Sequence, residues 1–161
     1  MPPGRQGYNF ANFLYTRSPP TAMQPMVLTR RVRFSAAHRY HRPEWSDERN
    51  RELFGPCSNP HGHGHNYLLE VSVQGTVDPL TGFSVDLGAL DRVLREEVVE
   101  PLDHQHLNHA VPEFAPGELV PTTENILLLL WARVEPRLAG ALVAMRLHEN
   151  EEFFVEYRGP S

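Results

Sequence analysis

The 161-residue chain reads as one α+β domain, an antiparallel β-sheet with two helices packed on one face. Three observations predict it. Apolar and polar residues alternate, as in half-buried strands, in two stretches of the first half of the chain and two at its end. Between them lie two segments with helical apolar spacing or a continuous apolar run, each preceded by a capping residue. The length suits one domain, which buries about two thirds of its unfolded surface on folding. Strands, then two helices, then strands make an antiparallel sheet the natural arrangement.

The elements follow in order. Residues 1–25 hold five of the 15 prolines, two arginines, no acid and no sustained periodicity, and are expected to be a disordered or loosely packed extension. The domain proper is expected over 26–161. Val32, Phe34 and Ala36 share one parity and Arg31, Arg33 and Ser35 the other, a strand over 27–38 with His38 on the apolar parity. Residues 39–60, with Pro43, Gly55, Pro56 and Pro60, read as a long polar loop of the kind that carries function. Alternation returns with Tyr67, Leu69, Val71 and Val73 against Asn66, Glu70, Ser72 and Gln74. The turn Asp78–Gly82 leads to a short strand, Phe83–Val85. Asp86 caps a helix with the apolar stripe Leu87, Leu90, Leu94 and Val98, which Pro101 is expected to close.

Beyond Pro112, Pro116 and Pro121, Thr122 or Thr123 caps a second helix from Ile126 to about Val134. Its unbroken apolar run, Ile126 to Trp131, predicts burial on both sides, with another subunit as one candidate cover. Ala141, Val143, Met145 and Leu147, then Phe153, Val155 and Tyr157, mark two closing strands joined by an acidic turn at Glu149–Glu152. Such a sheet leaves an edge unless it closes or pairs with a neighbour.

Composition excludes several function classes. Fifteen Lys and Arg against 20 Asp and Glu give a net charge of −5, which argues against a groove for nucleic acid. One cysteine excludes an internal disulfide and any Cys-rich zinc finger. No apolar run approaches the roughly 20 residues of a membrane span, so a soluble, cytoplasmic protein with no membrane partner is expected. The nine histidines are clustered: His61, His63 and His65 lie within five residues, and His104, His106 and His109 within six. Such clusters point to metal or acid–base chemistry.

Side chains two apart on a strand share a face, so His63 and His65 can reach one ion, and His38 supplies a third ligand if its strand pairs with theirs. Three imidazoles with an open fourth position are the arrangement of catalytic zinc, and an all-His set suits zinc better than magnesium or calcium. His61 is left out, since a fourth ligand would close that position. Cys57 sits in a polar Gly- and Pro-flanked loop, where a nearby cation could stabilise its thiolate. It is either a fourth ligand or a base standing off from the metal. The adjacent Asp103 can fix the tautomer of His104 in a turn after Pro101.

Phe34-Ser35-Ala36-Ala37-His38, Cys57-Ser58-Asn59-Pro60-His61-Gly62-His63-Gly64-His65-Asn66-Tyr67, Pro101-Leu102-Asp103-His104 and Thr122-Thr123-Glu124-Asn125 occur in this order, followed by the strand-end acid Glu149. Together they resemble the 6-pyruvoyl-tetrahydropterin synthase family from about Met26 to Gly159. The resemblance implies a T-fold, in which three subunits close their sheets into a barrel, two trimers stack into a hexamer, and active sites lie at subunit interfaces. It implies a zinc-dependent lyase that converts 7,8-dihydroneopterin triphosphate to 6-pyruvoyl-tetrahydropterin and triphosphate, with no nicotinamide or flavin. By the same resemblance His38, His63 and His65 bind zinc, Cys57 is the proton acceptor, and His104 oriented by Asp103 relays the proton. Glu149 anchors the guanidine-like edge of the pterin, and Thr122 and Thr123 line its pocket. Arg30, Arg31, Arg33, Arg39 and Arg42 are the candidates for holding the triphosphate.

The nearest alternative is 6-carboxytetrahydropterin synthase of the queuosine pathway. The five residues between Cys57 and His63, and the Thr-Thr-Glu-Asn motif, lean to the pyruvoyl enzyme. A non-catalytic zinc-binding oligomer is the alternative from another class.

Overall fold

The computed structural model describes residues 25–160. The expected extension therefore lies outside the described residues except for Pro25, which opens the first strand. Strands β1 (Pro25–His38) and β2 (His63–Thr76) pair antiparallel along their whole lengths, from Pro25 opposite Thr76 to His38 opposite His63. On the other side of β2 lies β4 (Leu142–His148), and beyond it β5 (Phe154–Tyr157), both antiparallel. The free side of β1 takes a two-residue strand, β3 (Gln105–His106), in parallel. The sheet order is thus β3-β1-β2-β4-β5.

The alternation read from the sequence decides which side of the sheet becomes the core. Phe34, Tyr67, Leu69, Val71, Met145 and Leu147 point to one face and are buried there, with Phe34 and Tyr67 stacked at 5.0 Å. Two helices cover that face. Helix α2 (Leu87–Leu94) contributes Leu90 and Leu94, and α5 (Thr123–Val134) contributes Ile126, Leu127, Leu130 and Val134. Both begin where expected. Asp86 accepts from the amide of Ala89 at 2.9 Å, and Thr122 rather than Thr123 caps α5 by accepting from the amide of Asn125 at 3.3 Å.

Three readings of the sequence need correction. The segment 39–60 contains a helix, α1 (Asp47–Phe54). It has no apolar stripe to betray it. It starts on a Ser46 cap with two acids in its first turn, and its one buried residue is Asn50. That amide is satisfied by the backbone amide of Arg42 and by the carbonyls of Arg42 and Ser46.

Pro101 does not end the first helical region. Residues Arg95–Val99 widen into a π turn, with the Glu100 amide bonded to the Arg95 carbonyl, and α3 (Glu100–Leu102) then carries the proline, with the short α4 (Leu107–Ala110) following β3. The wider turn relieves the crowding that a proline ring imposes on the carbonyl four residues back.

Within one chain α5 is buried on a single face, since Leu128 on the other side is 47% exposed. Residues 83–85 form no strand. The Phe83 carbonyl folds back onto the Asp78 amide at 2.9 Å, and the Ser84 carbonyl presses on Gly75 of β2. A Cβ at Gly75 would lie 1.8 Å from that carbonyl oxygen. Gly75→Ala is accordingly expected to destabilise the fold by about 3 kcal/mol through overpacking, read as a lowered urea midpoint.

Candidate metal centre

The pairing of β1 with β2 builds the site. His38 faces His63 directly, and Ala36 opposite His65 sets the third imidazole one pleat further along. One ligand atom from each of His38, His63 and His65 lies within 4.8 Å of the others. The Nε2 atoms of His38 and His63 are 3.2 Å apart.

His38 is fully buried, and its Nδ1 lies 3.1 Å from the Pro121 carbonyl. A carbonyl only accepts, so Nδ1 carries the hydrogen and the Nε2 lone pair faces His63. The Tyr67 hydroxyl lies 3.1 Å from the same Nδ1. Burial first, then the neighbouring His63 and His65, push the His38 pKa down to about 3, so the ring is a neutral ligand across the ordinary pH range. Burial also lowers the pKa of His65, against the raising effect of Glu149.

His63 Nδ1 and His65 Nε2 are buried without a hydrogen-bond partner. Orphaned nitrogens are costly in a dry site unless something accepts their lone pairs. Three converging imidazoles with this unmet capacity suit a divalent transition ion. The close approach of the chain is secured by Gly62, whose φ is +68° and where a Cβ would fall 2.6 Å from the His38 carbonyl oxygen.

Glu149 follows β4 and is 14% exposed at the side chain. One carboxylate oxygen accepts the Thr123 hydroxyl, and the other lies 3.6 Å from His65 Nε2. Thr123 is therefore brought to the site, whereas the Thr122 hydroxyl faces the first turn of α5.

Cys57 is half-buried, and its carbonyl accepts from the Tyr40 amide at 2.8 Å. Burial, and after it the charge of Glu149, raise the thiol pKa. Among the described residues no cation favours the thiolate, contrary to the expectation from the histidine-rich surroundings. Tyr40, Tyr67 and the Pro121 carbonyl were not legible as members of the site. Tyr67 reads as an ordinary core residue of β2, and Tyr40 lies in a segment without periodicity.

Asp103 and His104 meet as expected, with Asp103 Oδ2 2.8 Å from His104 Nδ1. The turn that allows it has His104 at a φ of +58°, its amide bonded to the Ser35 carbonyl. The other carboxylate oxygen of Asp103 accepts the Ser35 amide at 2.8 Å. These bonds, that from Ser35 foremost, hold the Asp103 carboxyl below the usual carboxylate range. His104 is 81% exposed and lines a cavity of about 490 Å³ beside His65 and Asn66. A larger cavity of about 740 Å³, lined by Arg33, Asn66, His148 and Glu149 among others, lies across the same strands. Cys57 borders neither cavity.

Of the five candidate arginines, Arg30 pairs with Asp91, Arg31 with Glu70 and Arg42 with Glu44. Arg39 donates to the Ser58 carbonyl. Among the described residues no helix is long and apolar enough to cross a membrane.

Comparison with known proteins agrees with this architecture. The family model described as 6-pyruvoyl tetrahydropterin synthase matches residues 27–160. The 6-pyruvoyl tetrahydrobiopterin synthase of Poecilia reticulata is 43% identical over 141 residues, covering 87% of this chain and 95% of the relative. The human protein of that name is 41% identical over 133 residues, covering 82% and 90%. The solved 6-pyruvoyl tetrahydropterin synthase of Caenorhabditis elegans superposes with a TM-score of 0.79 at 32% identity, covering 86% of this chain and 98% of that one. With nearly the whole described chain matched in sequence and in fold, the protein belongs to the 6-pyruvoyl tetrahydropterin synthase family.

Proposed function

We propose that the chain is a zinc-dependent lyase of tetrahydrobiopterin synthesis that converts 7,8-dihydroneopterin triphosphate to 6-pyruvoyl-tetrahydropterin with release of triphosphate. The observation that carries this reading is the convergence of His38, His63 and His65 beside the half-sequestered carboxylate of Glu149 in a chain of this family.

Each side chain then has a task. Glu149, steadied by the Thr123 hydroxyl, accepts two parallel N–H bonds from the amino-pyrimidinone edge of the substrate. His38, its tautomer fixed by the Pro121 carbonyl, and His63 and His65 hold the ion. An ion held there would supply Lewis acidity to the oxygens of the substrate side chain, making the protons on its carbons more acidic. Cys57 accepts such a proton, and His104, held by Asp103, relays it. The side chain is oxidised while the ring is reduced, by successive keto–enol shifts, and triphosphate departs. Electrons balance within the substrate, so no redox cofactor takes part.

The exposure of His104, and the position of β3 and β5 as the outer strands of the sheet among the described residues, favour an oligomer in which a neighbouring subunit brings the relay to the thiol. A trimeric barrel or its stacked hexamer meets that need.

The reading is tested by incubating the zinc-loaded chain with dihydroneopterin triphosphate and identifying the products by mass. The pyruvoyl pterin with inorganic triphosphate supports it. Acetaldehyde with a carboxypterin assigns the chain to the carboxy-forming branch instead, and unchanged substrate removes the catalytic reading.

A further inference from the structure

The proposed substrate carries a triphosphate arm, a group that a guanidinium recognises through charge-assisted, often bidentate hydrogen bonds. Of the arginines on or just beyond β1, most are already engaged. Arg30 is held by Asp91, Arg31 by Glu70 and Arg42 by Glu44, each at 2.7 Å, and Arg39 donates to the Ser58 carbonyl. Arg33 enters no ion pair or side-chain hydrogen bond among the described residues, although it stands on the same face of β1 as Arg31.

The register accounts for the difference. On the sheet face away from the helices, Arg31, Glu70, Arg146 and Glu156 are successive cross-strand partners. Their charges satisfy one another, with Arg31 on Glu70 at 2.7 Å and Arg146 on Glu156 at 2.6 Å. In the next row Arg33 stands opposite Leu68, and Leu68 opposite His148. That row holds no acid, so the guanidinium has no cross-strand partner of opposite charge.

Arg33 borders the cavity of about 740 Å³ that His65 and Glu149 also border. Asn66, its diagonal neighbour across the β1–β2 pair, borders it too. The side-chain carbonyl of Asn66 accepts the Ser35 hydroxyl at 2.7 Å, which leaves the amide hydrogens to donate. The Arg33 row lies three residues along β2 from His65, about 10 Å at the rise of a strand. The substrate side chain with its phosphates can cover that span. The acids of the lining do not cancel the charge: Glu149 is engaged by Thr123, and Glu151 is exposed in the turn beyond it.

We infer that Arg33 grips the phosphoryl groups of the triphosphate arm, with the Asn66 amide as a second donor, and so sets a preference for phosphorylated over phosphate-free pterins. The inference rests on the reading of Glu149 as the pterin anchor.

The test measures binding of neopterin triphosphate, neopterin and inorganic phosphate to the zinc-loaded full chain, in the wild type, Arg33→Gln and Arg33→Lys. The wild type is expected to bind neopterin triphosphate at least about 10-fold more tightly than neopterin, the weight of a charge-assisted contact. Arg33→Gln is expected to lose about 10-fold in affinity for neopterin triphosphate and none for neopterin. Arg33→Lys, which keeps the charge without the fork, should recover part of the loss. With the dihydro substrate, Arg33→Gln should raise KM with little change in kcat. A preference unchanged in Arg33→Gln overturns the role of Arg33 and spares the anchor. If that variant loses only inorganic phosphate, Arg33 serves a free anion and its assignment to the substrate falls. A wild type that binds the two pterins equally overturns the inference whatever the stability of the variants. A wild type that binds neither overturns the pterin anchor and the inference with it.

Discussion

Replacing His63 with alanine is expected to remove the bound metal and to lower triphosphate release by on the order of 10³-fold, the scale of a Lewis-acid contribution of several kcal/mol. The reason lies in the register. His63 is the cross-strand partner of His38, its ring nitrogen is 3.2 Å from that of His38, and its other nitrogen is buried without a partner. Two imidazoles, His38 and His65, then remain, and two neutral ligands hold a divalent ion weakly. The fold should survive, because His63 stands at the end of β2 and contributes nothing to the apolar cluster of Tyr67, Leu69 and Val71. Metal analysis of the purified variant, together with its thermal midpoint, checks both halves of the expectation.

Cys57→Ala is expected to give the opposite pattern, with metal content kept and turnover lowered by about 10²–10⁴-fold, the range of a lost general base. The thiol lies outside the three-histidine group, so its removal leaves the ligand set intact. The structure adds a pH dependence. Burial and Glu149 both disfavour the thiolate, so in the metal-free chain the thiol stays protonated until above the ordinary cysteine pKa. Alkylation of Cys57 by iodoacetamide should therefore be slow at neutral pH and accelerate on the alkaline side. Zinc loading, which brings positive charge close to the thiol, should move that rise to lower pH. Loss of metal in Cys57→Ala would make the thiol a ligand and end its assignment as a base standing off from the ion.

Much of the site was legible because strand geometry is simple. The period of two places His63 and His65 on one side of β2. The parity that half-buries Val32 and buries Phe34 and Ala36 of β1 carries on to His38. Pairing of the two strands then needs no further information to bring the three rings together. The Asp103–His104 contact was equally accessible, since adjacent residues can meet only in a turn.

Helices without apolar stripes were harder. Helix α1 is held by a serine cap and a buried asparagine, which leave no periodic trace. The passage of the chain through Pro101 depends on a π turn, an irregularity of hydrogen bonding rather than of composition. Tyr40 and the Pro121 carbonyl enter the site through loops whose course is fixed by tertiary contacts such as the bond from the Tyr40 amide to Cys57. The electrostatics of Cys57 depend in the same way on where Glu149 falls, about 90 residues along the chain. The apolar run of α5 predicts burial on both sides with a second subunit as one cover, and one chain covers one face, leaving Leu128 for such a neighbour.

In the proposed reading His38, His63 and His65 form one metal site that serves pterin triphosphate chemistry. Its most direct test is a zinc titration of the metal-stripped full chain with triphosphate release followed at each addition. Release is expected to be negligible without metal and to rise linearly to a break at one zinc per chain. Full activity in the stripped protein, or a rise that passes one equivalent without a break, would contradict it.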